Sequence, residues 1–206
     1  MGNAIRIHGH PLSGHSHRAV LFASLAGIDH ETVEVDLLAG EHKQQPFLSL
    51  NPFGQVPVIE DGATVVADSN AILVYLARKY APNWLPEDPA ALADVQRFLS
   101  LAAGGIAFGP AAARLVTVFG ADLDAEAAKQ VAASVFERLE THLGGRDWLV
   151  GDAPTIADVA IYSYTAHAPE GNVSLQPYPN IGGLLARIES LPGFVPMPTT
   201  KVGLAA

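Results

Sequence analysis

Every run that reads as a β-strand lies in the first 80 residues, and beyond residue 90 the apolar pattern is helical throughout. That asymmetry limits the chain to an α/β part followed by an all-α part. Residues 4–8 alternate, with Ile5 and Ile7 on one face, which predicts a strand. Residues 18–26, RAVLFASLA, are apolar nearly all round and stop at Gly27, which predicts a buried helix with a glycine cap. ETVEVDL then alternates, with Val33, Val35 and Leu37 on one face. Strand, helix and strand in that order predict a right-handed βαβ unit.

The polar loop AGEHKQQ leads into two short strands flanking Asp61-Gly62, a pair suited to a two-residue hairpin turn. In DSNAILVYLARKY, Ile72, Leu73, Leu76 and Tyr80 fall at helical spacing, with Asp68 or Ser69 able to cap the start. The prolines of APNWLPEDPA mark a linker. We expect one domain over residues 1–80, a linker over 81–87 and an all-helical domain over 88–206. Within the latter, residues 91–119 read as helix interrupted or bent near Gly104, Gly105 and Pro110. Residues 125–143 put Ala128, Val131, Val135, Leu139 and Leu143 on one face. DAPTIADVAIYSYTAHA and YPNIGGLLARIESLPG supply two more helices.

About half of the 206 residues are apolar, enough for a packed core, and the net charge is −9. An acidic chain without a basic run lacks what phosphate contacts need, so no nucleic-acid partner is expected. With no cysteine, thiol catalysis, disulfides and Cys-ligated zinc are excluded together. The opening MGNAIRIHGH has no long apolar core, and the apolar stretch 101–113 is too short and too broken by Gly and Pro to span a bilayer. A cytoplasmic protein without membrane attachment is the expectation.

Four of the eight histidines, His8, His10, His15 and His17, crowd into HGHPLSGHSH together with Ser13 and Ser16. Zinc needs three or four converging ligands with supporting partners; no carboxylate accompanies the histidines and Pro11 diverts the loop, so no metal is expected. Without a GxSxG turn, a Ser-His acyl-transfer pair is disfavoured as well. Pro57 in FGQVP is either an ordinary turn proline or a cis proline that presents backbone edges to a peptide-like ligand. Asp68 and Ser69 are either plain helix caps or the site of an α-amino-acid headgroup. In the second reading the free N–H groups take its carboxylate and Asp68 its ammonium. Lys43, on the same half, can hold a further carboxylate. Arg114 interrupts an apolar face and reaches a cleft, a dimer partner or a surface pairing.

These segments, HGHPLSGHSHRAVLFASLAGIDHE, GEHKQQPFLSLNPFGQVPVIEDG and ADSNAILVYLARKY, resemble the thioredoxin-like domain of the cytosolic glutathione S-transferases. WLVGDAPTIADVAIYSY, with Thr155 and Asp158 matching an N-cap box, and YPNIGGLLARIESLPG resemble that family's helical domain. The resemblance spans nearly the whole chain and is closest to serine-type bacterial members with phi- and theta-like motifs. It implies a βαβ-αββα arrangement around a mixed four-stranded sheet, a homodimer, glutathione as cosubstrate, and conjugation of the thiol to small hydrophobic electrophiles.

By the same resemblance Ser13 is the catalytic serine. His42 and Lys43 hold the glycyl carboxylate with Gln55 nearby, Val56 pairs its backbone with the cysteinyl part beside cis Pro57, and Asp68 and Ser69 hold the γ-glutamyl end. The family often carries Glu where this chain has Asp68. His15 and Ser16 are alternatives near the thiol. Leu12, Phe108, Ala112 and Leu115 are candidates for an apolar electrophile site. Two other readings on the same fold are a non-catalytic glutathione-binding protein and a specialised glutathione-dependent isomerase or peroxidase.

Overall fold

A computed structural model of the protein describes residues 4–206. It divides into two compact units, one of Met1–Leu85 with Leu191–Pro198, the other of Pro86–Ser190 with Thr199–Ala206. Residues 191–198 therefore cluster with the first unit, whereas the sequence pattern carried the second domain unbroken to residue 206.

The first unit is built on a mixed four-stranded sheet, as the resemblance implies. Its strands are β1 (Ile5–Gly9), β2 (His30–Glu34), β3 (Val58–Asp61) and β4 (Thr64–Ala67). Their order is β2-β1-β3-β4, with β1 parallel to β2 and the other two pairings antiparallel. Helices α1 (Gly14–Leu25) and α3 (Ser69–Tyr80) pack on each other, and a short α2 (Phe47–Leu50) lies between β2 and β3 in the chain. Ile5, Ile7, Leu21, Phe22, Ile59, Ile72, Leu73 and Leu76 are buried together with almost no exposure. Each such side chain contributes roughly 1.5–3 kcal/mol of burial. A second cluster joins Val35, Phe47 and Val58 with Leu37, Leu50, Val56 and Ala67.

The structure departs from the sequence pattern at the start of α1 and at the hairpin turn. Helix α1 starts at Gly14, so His15, Ser16 and His17 stand on its first turn and not in a loop. Ser13 is its N-cap: the backbone there is extended, and the Oγ accepts the Ser16 N–H at 3.2 Å. The hairpin pairs Asp61 with Thr64, so the two turn residues are Gly62 and Ala63, one place later than expected. Gly62 leads with φ +61, the positive value that a first turn position of this kind demands.

The second unit contains no strand among the described residues. Pro89–Phe119 is one continuous helix of 31 residues, long and apolar enough by length and composition to cross a bilayer. The expected interruption falls at Gly104, Gly105 and Pro110 as a change of helical register and not as a break in the helix. There α4 (Pro89–Leu101) widens into a π-helical stretch, Ala102–Ala111, before α5 (Ala112–Phe119). That register absorbs Pro110, and the glycines allow close approach. A Cβ on Gly109 would lie 2.8 Å from the Ala132 backbone nitrogen, and one on Gly105 would lie 2.6 Å from Val135 Cγ2. Phe98, Ala102, Ile106 and Ala113 bury the inner face.

Helix α6 (Ala125–His142) buries Ala128, Val135 and Leu139 as expected, followed by the buried Leu143, but Val131 is exposed and Ala132 and Phe136 complete the face. Helix α7 (Ile156–Ala166) is buried on every side. Its start is the capping box of Thr155 and Asp158, whose carboxylate accepts from Thr155 N, Thr155 Oγ1 and Leu149 N. Helix α8 (Pro179–Glu189) packs on α6 and α7.

Arg114 takes none of the roles the sequence offered. Its side chain is buried, and Nε donates to Glu170 Oε2 at 2.6 Å.

Candidate active site

Sheet register gathers the candidate residues at one end of the first unit. Gly9, at the end of β1, pairs with Glu34 at the end of β2, while His8 pairs with Val58 at the start of β3. Val58 in turn pairs with Ala67, the last residue of β4. The segments that leave or enter at these points carry Ser13, the 41–43 loop, the Val56-Pro57 bond and Asp68.

Ser13 is partly exposed. Its oxygen caps α1, while its O–H meets no acceptor among the described residues. The first-turn N–H groups and the helix dipole add positive potential at the same point. Ser16 differs. It is buried, and its Oγ accepts the His10 N–H at 3.2 Å.

The four clustered histidines diverge. His8 Nε2 contacts Glu60 at 2.6 Å and His10 Nδ1 accepts from Leu12 N. His15 Nδ1 lies 3.3 Å from Ser69 Oγ, and His17 Nε2 donates to Val195 O at 2.8 Å. Among the described residues no group of three or more His, Asp or Glu is placed to hold a metal ion.

The peptide bond before Pro57 is cis, the alternative that the sequence left open. Neither the N–H nor the C=O of the preceding Val56 meets a partner among the described residues. Gln55 is exposed, and its carbonyl is held by the buried Asn51, whose Nδ2 donates to it at 2.8 Å. Lys43 Nζ donates to Phe53 O at 3.3 Å and to Gly54 O at 2.8 Å, which leaves one of its three donors. Gly54, at φ +58, lets the 41–43 turn approach; a Cβ there would lie 2.7 Å from His42 O. His42 and Lys43 thus sit beside Gln55. Burial and then the neighbouring Lys43 charge lower the His42 pKa, so this ring is neutral at neutral pH.

At the start of α3, Asp68 is the cap. Its Oδ1 accepts from Asn70 N and Ala71 N, both at 2.9 Å, while Oδ2 meets no hydrogen-bond partner among the described residues. Its φ of +74 is costly for a residue with a Cβ, a conformation that concentrates at ligand sites. Ser69 is buried, and its Oγ accepts from Arg18 Nη1 at 2.8 Å. The same nitrogen donates to Asn70 Oδ1 at 2.9 Å. Arg18, Asn51 and Asn70 are the organising residues that sequence reasoning left out. An arginine inside an otherwise apolar helix was the available signal for the first.

The electrophile candidates fall in both units. Leu12 is partly buried in the first. In the second, Phe108, Ala112 and Leu115 follow one another at four and three residues along the long helix, and Phe108 is 70% exposed. A crevice of about 290 Å³ lies elsewhere on the first unit. It is lined by Ile7, His10, Ser16, Val20, Thr32 and Pro196 among others, and Ser13 and the start of α3 are not part of it.

A mixed four-stranded sheet with a cis-proline entry strand, continued by an all-helical unit, defines a thioredoxin-like protein with a helical partner domain. A glutathione S-transferase N-terminal domain model matches residues 12–79, and a glutathione S-transferase C-terminal domain model matches residues 108–192. Glutathione S-transferase 3 of Zea mays is 36% identical over 163 residues, covering 75% of this chain and 73% of the maize protein. Glutathione S-transferase PARB of Nicotiana tabacum is 35% identical, with 76% and 78% covered. The crystal structure of a glutathione S-transferase from Pseudomonas fluorescens superposes with a TM-score of 0.90 at 29% identity, covering 95% of this chain and 99% of that one. One from Xanthobacter autotrophicus does so at 0.86 and 34% identity, covering 95% and 97%. The chain belongs to the glutathione S-transferase family.

Proposed function

We propose that this protein ionises the thiol of glutathione beside Ser13 and conjugates the sulfur to small hydrophobic electrophiles. The observation that carries the reading is the Ser13 hydroxyl, an uncommitted donor at the N-cap of α1. Along the same end of the sheet, Val56 offers both backbone groups to the cysteinyl part, and the exposed Asp68 offers Oδ2 to the γ-glutamyl ammonium. Lys43, with His42 and Gln55, takes the glycyl carboxylate; the charge comes from Lys43, since His42 is neutral. On family resemblance, Leu12 in the first unit and Phe108, Ala112 and Leu115 in the second are proposed, each within its own unit, as apolar contacts for the electrophile. Glutathione is a cosubstrate, and the step uses no metal.

Magnitudes support the assignment. A free thiol titrates near ~8.5 and is mostly protonated at neutral pH. Lowering that by about two units takes roughly 2.7 kcal/mol of preference for the thiolate. A hydrogen bond to a charged group supplies about 1.5–3 kcal/mol, and the helix end adds about 0.3–1 kcal/mol. The thiol proton passes to solvent, the thiolate sulfur attacks the electrophilic carbon, the displaced group leaves with the bonding pair, and Ser13 remains a donor throughout. Holding both reactants together adds proximity.

The working domain division is residues 1–80 for glutathione, 81–87 as linker and 88–206 as the helical domain. A homodimer in the cytoplasm is proposed with it, on family resemblance. Steady-state turnover of an aryl halide by wild-type and Ser13→Ala protein tests the function. The variant is expected to lose at least tenfold in kcat at saturating glutathione. Equal turnover would remove Ser13 from the chemistry.

A further inference from the structure

We infer that His15 is a positioning residue for the γ-glutamyl end of glutathione: its Nδ1 accepts the Ser69 hydroxyl hydrogen and so locks the first residue of α3 against the first turn of α1. The inference rests on the proposed function, in which the start of α3 receives that end of the peptide.

The geometry assigns the protons. A guanidinium nitrogen only donates, and Nη1 has two hydrogens. Ser69 Oγ at 2.8 Å and Asn70 Oδ1 at 2.9 Å take the two short directions from Arg18 Nη1. His15 Nδ1 stands 3.5 Å from that nitrogen and 3.3 Å from Ser69 Oγ. Having accepted from Arg18, Ser69 has one hydrogen to give, and His15 Nδ1 is the acceptor beside it. A hydrogen on Nδ1 would instead point into the Arg18 donors. The ring is therefore neutral, bare at Nδ1 and protonated at Nε2. Burial and then the Arg18 charge support this by holding the ring's pKa down to about 4, against a smaller opposing pull from Asp68.

The consequence reaches the ligand. Ser69 directly follows Asp68, and their backbone forms the start of α3. Fixing the Ser69 side chain from one side by Arg18 and from the other by His15 sets the Ser69 N–H and the Asp68 carboxylate before glutathione arrives. Removing His15 costs that preorganisation and leaves the sulfur chemistry at Ser13 intact.

The test uses the full chain with His15→Ala, His15→Asn and Ser69→Ala. Asparagine Oδ1 occupies the place of Nδ1 and only accepts. Glutathione binding by calorimetry, kcat and KM are measured, with thermal melts to verify folding. His15→Ala is expected to raise Kd and KM for glutathione about tenfold while kcat at saturation stays within twofold. His15→Asn is expected to recover to within threefold of wild type. Adding His15→Ala to Ser69→Ala should weaken binding no further. Histidine ¹⁵N spectra of wild type should show a bare Nδ1 on His15 from pH 8 to pH 5. A folded His15→Ala that binds glutathione like wild type, an Asn variant as weak as Ala, or a His15 Nδ1–H signal would each overturn the inference. Wild type that takes up no glutathione would overturn the proposed function instead, and the spectra tell the two failures apart.

Discussion

Arg114 Nε and Glu170 Oε2 lie 2.6 Å apart with both side chains buried. Glu170 also binds His167 Nδ1 at 2.7 Å and Thr200 Oγ1 at 2.7 Å, so one carboxylate ties three segments of the second unit. Glu170→Gln keeps the shape but removes the carboxylate charge that faces the buried Arg114 guanidinium, and is expected to cost about 3–5 kcal/mol in chemical denaturation at pH 7. Burial pushes the Glu170 carboxyl up, but the bonds from His167, Thr200 and Arg114 outweigh it and hold its pKa below the ordinary 4.5. A depressed carboxyl stabilises above its unfolded pKa and loses that effect as pH falls through the folded value. The gap between wild type and Glu170→Gln should therefore close as pH falls below about 4.5. A gap unchanged down to pH 3 would show that the charge is not what the variant removes.

Gly109→Ala tests the close approach of the long helix to α6. The new methyl would sit 2.8 Å from Ala132 N, a backbone atom that cannot swing aside. A loss of about 1–3 kcal/mol is expected in urea denaturation. Gly104→Ala, which meets nothing within 4 Å, should be neutral or stabilising. Equal effects at both positions would mean that helix propensity, and not packing, decides.

Much of the first unit was legible because strand alternation is local. Ile5 and Ile7 declare their face within a few residues. The start of α1 was not: GHSH is polar, as capped first turns often are, and reads like a loop. Arg18 is harder still, because what accepts it, Ser69 and Asn70, lies about fifty residues away. In the second unit Gly105 and Pro110 read as breakers by composition. The π-helical register accommodates both inside one helix, and at Gly105 the close Val135 side chain of α6 leaves no room for a Cβ. Arg114 failed for the same reason as Arg18. A charge on an apolar face is expected to reach water, and the sequence does not reveal Glu170 waiting inside. For the candidate site, family motifs supplied the residues, and the sheet register supplied their common end.

The neutral His15 also predicts a pH effect on stability. Its folded pKa of about 4 lies below the ordinary 6.5, so the unfolded chain takes up a proton first as pH falls. Wild type should lose stability between pH 6.5 and pH 4 relative to His15→Asn, by up to about 3 kcal/mol. Parallel stability curves for the two proteins would contradict a low folded pKa.

Asp68→Asn separates capping from ligand binding. The amide oxygen can still accept from Asn70 N and Ala71 N, so the melting temperature should move by only a few degrees. Losing the charge offered to the γ-glutamyl ammonium should raise KM for glutathione by roughly 10- to 100-fold. A variant with unchanged KM would leave Asp68 as a cap alone.

The most direct test of the central claim is the ultraviolet thiolate titration of the glutathione complex, with wild type and Ser13→Ala compared. Wild type is expected to show a bound thiol pKa about two units below the free value, returning most of the way to ~8.5 in the variant. A depressed pKa that survives Ser13→Ala would contradict the claim.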